Sequence, residues 1–352
     1  MLTIIKKNNF VFGFYLKIKY GVKVKPEDKV VLLNVEDNKF NRYLYPFIHF
    51  LNTNGYKCIL KLDNVEIASI FRGNYYHKMI FSENLLFRPS SKMNITKSIN
   101  LKPDYFYALS KKELRQHVIP MPMHPLVYER NIKNTENYTN KVIFFAGNVS
   151  YKHYSRKQIF DDIIPRYYIV EYIKNFSNCI LVKNKGEEIK AYKNSNQLFY
   201  VIYNKHTYPL SQTEMFKELS KSSFYLALPG VTMPLCHNII EAMYCKSIPI
   251  LQDIYADMFP IPLVNKINCF TYNKKEDLLE ISNYIERMSF NEIKVMQKNV
   301  EKYYHQYLSE EAISKLVTET KNVDFYLQAE NHSLRLFSKR KASKSIKWFT
   351  NL

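Results

Sequence analysis

Two side chains four residues apart, His237 and Glu241, sit in the most informative stretch of this chain, SSFYLALPGVTMPLCHNIIEAMYCKSIPILQD, residues 222–253. An apolar run ends at Pro229-Gly230, and the spacing beyond it predicts a helix starting near Thr232, Met233 and Pro234. A helix start leaves N–H groups without partners and the positive end of the helix dipole, which together favour an anion. Gly230 lets a phosphate come close to the backbone. His237 and Glu241, one turn apart, share a helix face. A carboxylate at that place accepts hydrogen bonds from ribose hydroxyls, with His237 nearer the phosphate end. A second apolar run, Ser-Ile-Pro-Ile, leads to Asp253. Singly, each residue reads as ordinary: a turn glycine, a helix-start histidine, a solvated carboxylate. The order of strand, glycine loop, helix with Glu, strand and Asp is what points to a ligand site.

The elements that must hold these residues follow from hydrophobic period. KVVLLNV (29–35) reads as a buried strand, EDNKFNRYLYPFIHFLNTNGY as a helix stopped at Asn54-Gly55, and YKCILKL as a second strand. Strand, helix, strand with short joints is the unit of a parallel sheet. MIFSENLLF and PDYFYAL are expected as further strands, and the proline-rich HVIPMPMHPLVYE as extended chain. The polar stretch 131–140 marks a domain boundary. Beyond it, KVIFFAGN is a strand ending in a glycine turn, and YSRKQIFDDIIPRYYIVEYIKN is helical with a break at Pro165. NCILVKN and QLFYVIYN are strands, and SQTEMFKELSKS is a helix with a Ser211/Glu214 capping box. Residues from 274 to about 322 are helical by their spacing. No internal repeat or low-complexity tract interrupts this order.

A chain of 352 residues with 46% hydrophobic side chains supports two domains with cores of their own. The net charge of +19 favours polyanionic or phosphorylated partners, although lysine used simply for solubility accounts for part of it. Five scattered cysteines with no CxxC pair read as buried thiols, not as a disulfide frame or zinc site. Neither a signal peptide nor an apolar run long enough for a membrane span is visible, so a cytoplasmic protein is expected, with a peripheral position on the inner face of the plasma membrane as an open alternative.

A second segment shares the glycine-turn pattern. KVIFFAGNVSYKHYSRKQIF (141–160) places Gly147 at a strand end, with Arg156 and Lys157 at the start of a basic helix. This segment and 222–263 together resemble the nucleotide-sugar-binding region of exostosin-like GT-B glycosyltransferases. Two features depart from that family: Lys246 and Ser247 stand where it usually has glycine, and Cys236 and His237 where it often has arginine. The resemblance implies an α/β GT-B fold, two Rossmann-like doubly wound domains facing a cleft. It implies an acceptor-binding domain over 1–135, a nucleotide-sugar-binding domain over 141–330 and a basic tail over 331–352. Gly147, Arg156, Lys157, Gly230, His237, Glu241 and Asp253 would bind the donor.

The reaction implied moves a sugar from a nucleotide sugar to a glycan or lipid-linked acceptor, such as bacterial surface polysaccharide or lipopolysaccharide. No cofactor is implied. Without an Asp-x-Asp motif the enzyme is expected to be metal-independent, its diphosphate met by helix dipole and cations. Glu36, Asp37 and Glu83 are the candidates for a base that deprotonates the acceptor, with His77 and His124 behind them. Lys57, Lys61, Arg72, Lys78, Arg88, Lys92 and Lys97 are candidates to line a groove for an anionic acceptor. The tail, with Trp348 and Phe349 among lysines, fits an anionic membrane surface or docking on the first domain. Fucosyltransferase-like and CMP-sugar-dependent transferases fit the same motifs. A basic nucleic-acid-binding protein would account for the charge, but no DNA- or RNA-binding signature is present and nucleic acid is not expected as a partner.

Overall fold

The computed structural model describes residues 8–21, 24–36, 41–73, 75–83, 85–86, 94–133, 138–156, 160, 163–193, 196–231 and 233–342. They form two compact units, 1–125 with 308–352, and 126–307. Each unit has a six-stranded sheet whose strands all pair in parallel. The fold class expected from the sequence, two Rossmann-like doubly wound α/β domains, is therefore what the chain adopts.

The first unit opens with helix α1 (Asn9–Tyr20), whose N-cap Asn8 accepts from the amides of Phe10 and Val11. Strand β1 (Lys29–Val35) and helix α2 (Asn41–Thr53) follow as read from the sequence. Gly55, at φ +83°, makes the turn into β2 (Tyr56–Leu60) that a side chain would strain. Helix α3 (Asn64–Arg72) starts with a complete capping box between Asp63 and Glu66. Strands β3 (Leu85–Leu86) and β4 (Ile95–Lys102), helix α4 (Tyr105–Leu109) and strand β5 (Val118–Ile119) finish this part.

Two expected strands take other forms, and one strand goes unannounced by the sequence. MIFSENLLF forms a 3-10 turn over Met79–Ser82 and only a two-residue strand. PDYFYAL is the helix α4. The long third strand is β4, whose sequence ITKSINLK is too polar to read as buried. Its Ile99 and Leu101 are fully buried, while Ser98, Asn100 and Lys102 face the other way.

The second unit begins within helix α5 (Pro125–Glu129), whose first residue is Pro125, where a missing N–H costs nothing. The proline-rich segment is thus not extended throughout. Strand β6 (Val142–Gly147) leads through helix α6 (Tyr151–Tyr154) to helix α7 (Arg166–Ile173), which starts behind Pro165. Strands β7 (Cys179–Val182) and β8 (Phe199–Asn204), helix α8 (Gln212–Lys221) and strand β9 (Phe224–Leu226) come next. The Ser211/Glu214 capping box is present at α8. Helix α9 (His237–Tyr244), strand β10 (Ile248–Gln252), helix α10 (Asp253–Ala256) and strand β11 (Phe270–Tyr272) complete the sheet, followed by helices α11 (Asp277–Arg287) and α12 (Phe290–Tyr307). Buried Asn140 ties the starts of β6 and β9 together, its Oδ1 accepting from the amides of Val142 and Ser223.

The chain then returns to the first unit through α13 (Glu310–Glu319), β12 (Asp324–Leu327) and α14 (Glu330–Ala342). Strand β12 enters between β4 and β5, giving the order β3-β2-β1-β4-β12-β5. Residues 308–330, assigned to the second domain by the sequence reading, thus belong to the first unit, because the sheet there is incomplete without β12. Leu334 and Phe337 of α14 are buried, and Arg340 forms a bidentate pair with Asp104 at 3.1 and 2.8 Å. The described part of the basic tail is therefore docked. Trp348 and Phe349 lie outside the described residues. No described helix is long and apolar enough to cross a membrane.

Candidate functional site

In the second unit the sheet order is β11-β10-β9-β6-β8-β7. From β6 the chain runs to β7 and β8 on one side, and from β9 it runs to β10 and β11 on the other. The carboxyl ends of neighbouring β6 and β9 therefore form a topological switch point, where open α/β sheets leave a crevice for ligands. Gly147 ends β6, and the loop Ala227-Leu228-Pro229-Gly230 leaves β9 at the same place.

One side chain joins these two loops. Arg166, the first residue of α7, donates from Nη1 to the carbonyl of Asn148 at 3.0 Å and from Nη2 to that of Leu228 at 3.4 Å. Its guanidinium lies 4.2 Å from the Tyr154 ring centroid and 5.4 Å from that of Phe145. Arg166 is 8% exposed, and its Nε has no hydrogen-bond partner among the described residues. Among the described residues no carboxylate pairs with it. Arginine stays charged in proteins, and a buried charge without a counter-ion is costly. Such a group is suited to receive an anion from outside.

Both glycines of the site are close-approach positions. A Cβ on Gly147 would lie 3.1 Å from Arg166 Nη1 and 3.0 Å from Phe145 Cζ. On Gly230 it would lie 2.7 Å from the carbonyl oxygen of Met233 and 2.9 Å from Cys236 Sγ. Gly230 also donates its amide to Met233 O at 2.8 Å, closing the loop ahead of α9.

Helix α9 starts at His237, and its N-cap Cys236 gives it no side-chain hydrogen bond. His237 Nδ1 donates to Glu241 Oε1 at 2.8 Å, a pairing that fixes the imidazole ring. Glu241 is 1% exposed and His237 half-buried, so His237 is the member of the pair that meets the surface. The helix ends in a Schellman motif: Ser247 N bonds Ala242 O at 2.9 Å and Lys246 N bonds Met243 O at 3.0 Å. Lys246 takes φ 58°, the conformation that the glycine of the resembled family would supply.

The remaining donor candidates are spread more widely. Arg156 is exposed just beyond α6, and Lys157 lies outside the described residues. Asp253 is the exposed first residue of α10 and lines an open polar hollow with Lys266, Asn273 and Arg287. Gln252, immediately before it, is buried and bonds both the amide and the carbonyl of Ile164, at 2.7 and 3.0 Å. That clasp holds the segment that presents Arg166. The sequence reading missed Arg166. Its signal is an arginine directly behind Pro165, the expected break in the helix, where α7 begins.

No family profile matches the chain, and no curated protein matches its sequence. Among solved structures it is similar to Anabaena Alr3699/HepE in complex with UDP, with a TM-score of 0.41 and 9% identity over 83% of this chain and 98% of that one. It is also similar to TarM, at TM-score 0.33 and 10% identity, covering 76% of this chain and 56% of that one. A third similar structure is the Candida albicans trehalose-6-phosphate phosphatase N-terminal domain, at TM-score 0.33 and 9% identity over 89% and 73%.

In the first unit, Glu36 is exposed at the carboxyl end of β1, 3.7 Å from Lys102 Nζ. Asp37 lies outside the described residues. Glu83 is engaged by α2: its carboxylate pairs with His49 Nδ1 at 2.9 Å and accepts from Asn52 Nδ2 at 2.7 Å. His124 is buried edge-on against Tyr76, and burial holds the His77 imidazole below its usual pKa. Several groove cations also have internal roles. Lys57 pairs with Asp28, Arg72 bonds Asn9, and Lys97 bonds the carbonyls of Val317 and Thr320. Arg88 and Lys92 lie outside the described residues. Among the described residues no three His, Cys, Asp or Glu side chains gather as a metal site requires.

Proposed function

We propose that this chain is a glycosyltransferase whose 126–307 unit holds a nucleotide-sugar donor at the switch point of β6 and β9. The observation that carries the reading is Arg166, a buried guanidinium that pairs with no carboxylate among the described residues, bridging the two loops where a ligand of this fold binds. A diphosphate supplies the missing negative charge, and the start of α9 adds N–H groups and a favourable dipole. His237, its Nδ1–H held by Glu241, lies at that helix start and presents Nε2 as an acceptor for a ribose hydroxyl.

In the transfer the acceptor hydroxyl oxygen attacks the anomeric carbon of the donor sugar. The bond from that carbon to the phosphate oxygen breaks, and the nucleoside diphosphate leaves with the electron pair. Arg166 and the α9 amides face the charge that develops there, the kind of electrostatic stabilisation that contributes most in a water-poor site. The acceptor's proton passes to a carboxylate. Glu36 is our choice for that base, because it stands open at a strand end while Glu83 is committed to His49 and Asn52. The acceptor we favour is anionic and lipid-linked, on the ground of the chain's +19 charge.

A thermal-shift screen against UDP, GDP, CMP and their sugars tests this reading, since a ligand that binds only the folded state raises its stability. At least one nucleotide is expected to raise the unfolding midpoint and its sugar to be turned over. Salt-dependent binding to DNA without any nucleotide response would overturn the reading.

A further inference from the structure

The geometry points to Tyr255 as a second, unassigned ligand group of this site, its phenol donating to a phosphoryl oxygen of the bound nucleotide; this rests on the donor-site reading above. Tyr255 lies on α10, the short helix that leaves β10 beside β9. It is 1% exposed, and its hydroxyl has no hydrogen-bond partner among the described residues. A buried tyrosine normally gives its O–H to an acceptor, and a donor left without one costs stability.

The surroundings show what that acceptor would be. Tyr255 lines a small recess with Leu228, Pro234, Cys236 and Asn238. Leu228 belongs to the loop whose carbonyl Arg166 holds, and Cys236 is the N-cap of α9. Asn238 is hydrogen-bonded to Tyr225, which leaves Tyr255 as the recess hydroxyl without a partner. The start of α9 and the Arg166 guanidinium make the recess electropositive. Arg166 Nε, also buried and unpartnered, is a second donor without an acceptor in the same region. Two buried donors lacking acceptors beside a helix N-terminus describe a socket for an oxyanion. A carbonyl or neutral sugar hydroxyl would not balance the guanidinium charge. A phosphoryl oxygen satisfies the phenol and balances that charge as well.

This arrangement makes an unusual demand on the conservative variant Tyr255→Phe. Removing a hydroxyl that has no partner in the free protein relieves a desolvation cost and keeps the ring packing, so the unfolding midpoint without ligand should rise by about 1–3 °C. The hydroxyl's loss should nevertheless weaken nucleotide binding about tenfold, the usual scale for a hydrogen bond to a charged group. A purely structural tyrosine would lower the midpoint and leave the affinity alone.

The experiment compares full-length parent and Tyr255→Phe by differential scanning fluorimetry and by calorimetric titration with UDP, GDP, CMP and inorganic pyrophosphate. A higher midpoint with a weaker affinity supports the proposal. A lower midpoint, or equal affinity of both proteins for a nucleotide that binds, overturns it while the donor-site reading stands. Pyrophosphate binding that Tyr255→Phe weakens, with no nucleotide bound by either protein, supports the oxyanion socket and removes the nucleotide-sugar reading. Binding of none of the four probes to the parent overturns both.

Discussion

His237 Nδ1 donates to Glu241 Oε1 at 2.8 Å, and the two residues differ sharply in burial: Glu241 is 1% exposed and His237 half-buried. On the proposed reading the carboxylate acts on a ligand through the imidazole that it orients. His237→Ala and Glu241→Gln should each weaken nucleotide affinity, and the double variant should lose little more than either single one. Calorimetry on the four proteins measures this coupling; fully additive losses would show that the two act independently. Glu241→Ala, which also empties buried volume, should cost about 2–4 kcal/mol of stability.

Lys246 occupies the left-handed position of the Schellman motif that ends α9, at φ 58°. A side chain there carries strain of about 1 kcal/mol that glycine lacks. Against this, Lys246 pairs with Glu301 at 2.7 Å, but both side chains are about a third exposed, and such pairs contribute little. Lys246→Gly should therefore raise stability by about 0.5 kcal/mol in urea unfolding. A clear loss would mean that the ion pair outweighs the backbone strain.

His49 and Glu83 make a pH-dependent pair in the first unit. Burial alone would lower the His49 pKa, but the hydrogen bond to Glu83 and the carboxylates of Glu83 and Glu310 raise it overall. A raised histidine contributes stability that is fully present below the unfolded value near 6.5 and is lost as pH rises through the folded value. The parent should lose stability above pH 6.5, and Glu83→Gln should flatten that loss. Parallel stability–pH curves for the two proteins would contradict this assignment.

The parts legible in the sequence are those whose structure is local. Strands β6, β9 and β10 are continuous apolar runs because both faces of a central parallel strand are covered. The α8 capping box lies within four residues. The hidden parts depend on distant partners. Strand β4 alternates polar and apolar residues, and its Asn100 side chain bonds Asp324, which lies 224 residues away. Strand β12 is four residues long and becomes a strand by filling the gap between β4 and β5. Arg166 was overlooked for a similar reason. Sequence order draws attention to Arg156, nearer the glycine turn, whereas the fold brings α7 back over that turn and leaves Arg156 exposed.

Glu36 is the base on this account, so Glu36→Gln should lower sugar transfer about 100-fold or more, the usual scale for a lost general base. Nucleotide affinity should stay unchanged, because Glu36 is assigned no role on the donor. Steady-state transfer assays with a calorimetric control measure both quantities. Unimpaired transfer would move the role to another carboxylate such as Asp37.

On the proposed reading, Arg166 is the buried cation that receives the donor's diphosphate. Arg166→Met keeps much of the side chain's length while removing its charge and donors. The direct measurement is the nucleotide-induced shift of the unfolding midpoint for the parent and for Arg166→Met, each screened with UDP, GDP and CMP. Ligand at 100 times its dissociation constant stabilises a protein by about 2.7 kcal/mol, a shift easily seen. A clear rise is expected for the parent with at least one nucleotide, and little or none for a folded Arg166→Met at the same concentration. Equal shifts in both proteins, or no shift of the parent with any of the three, would contradict it.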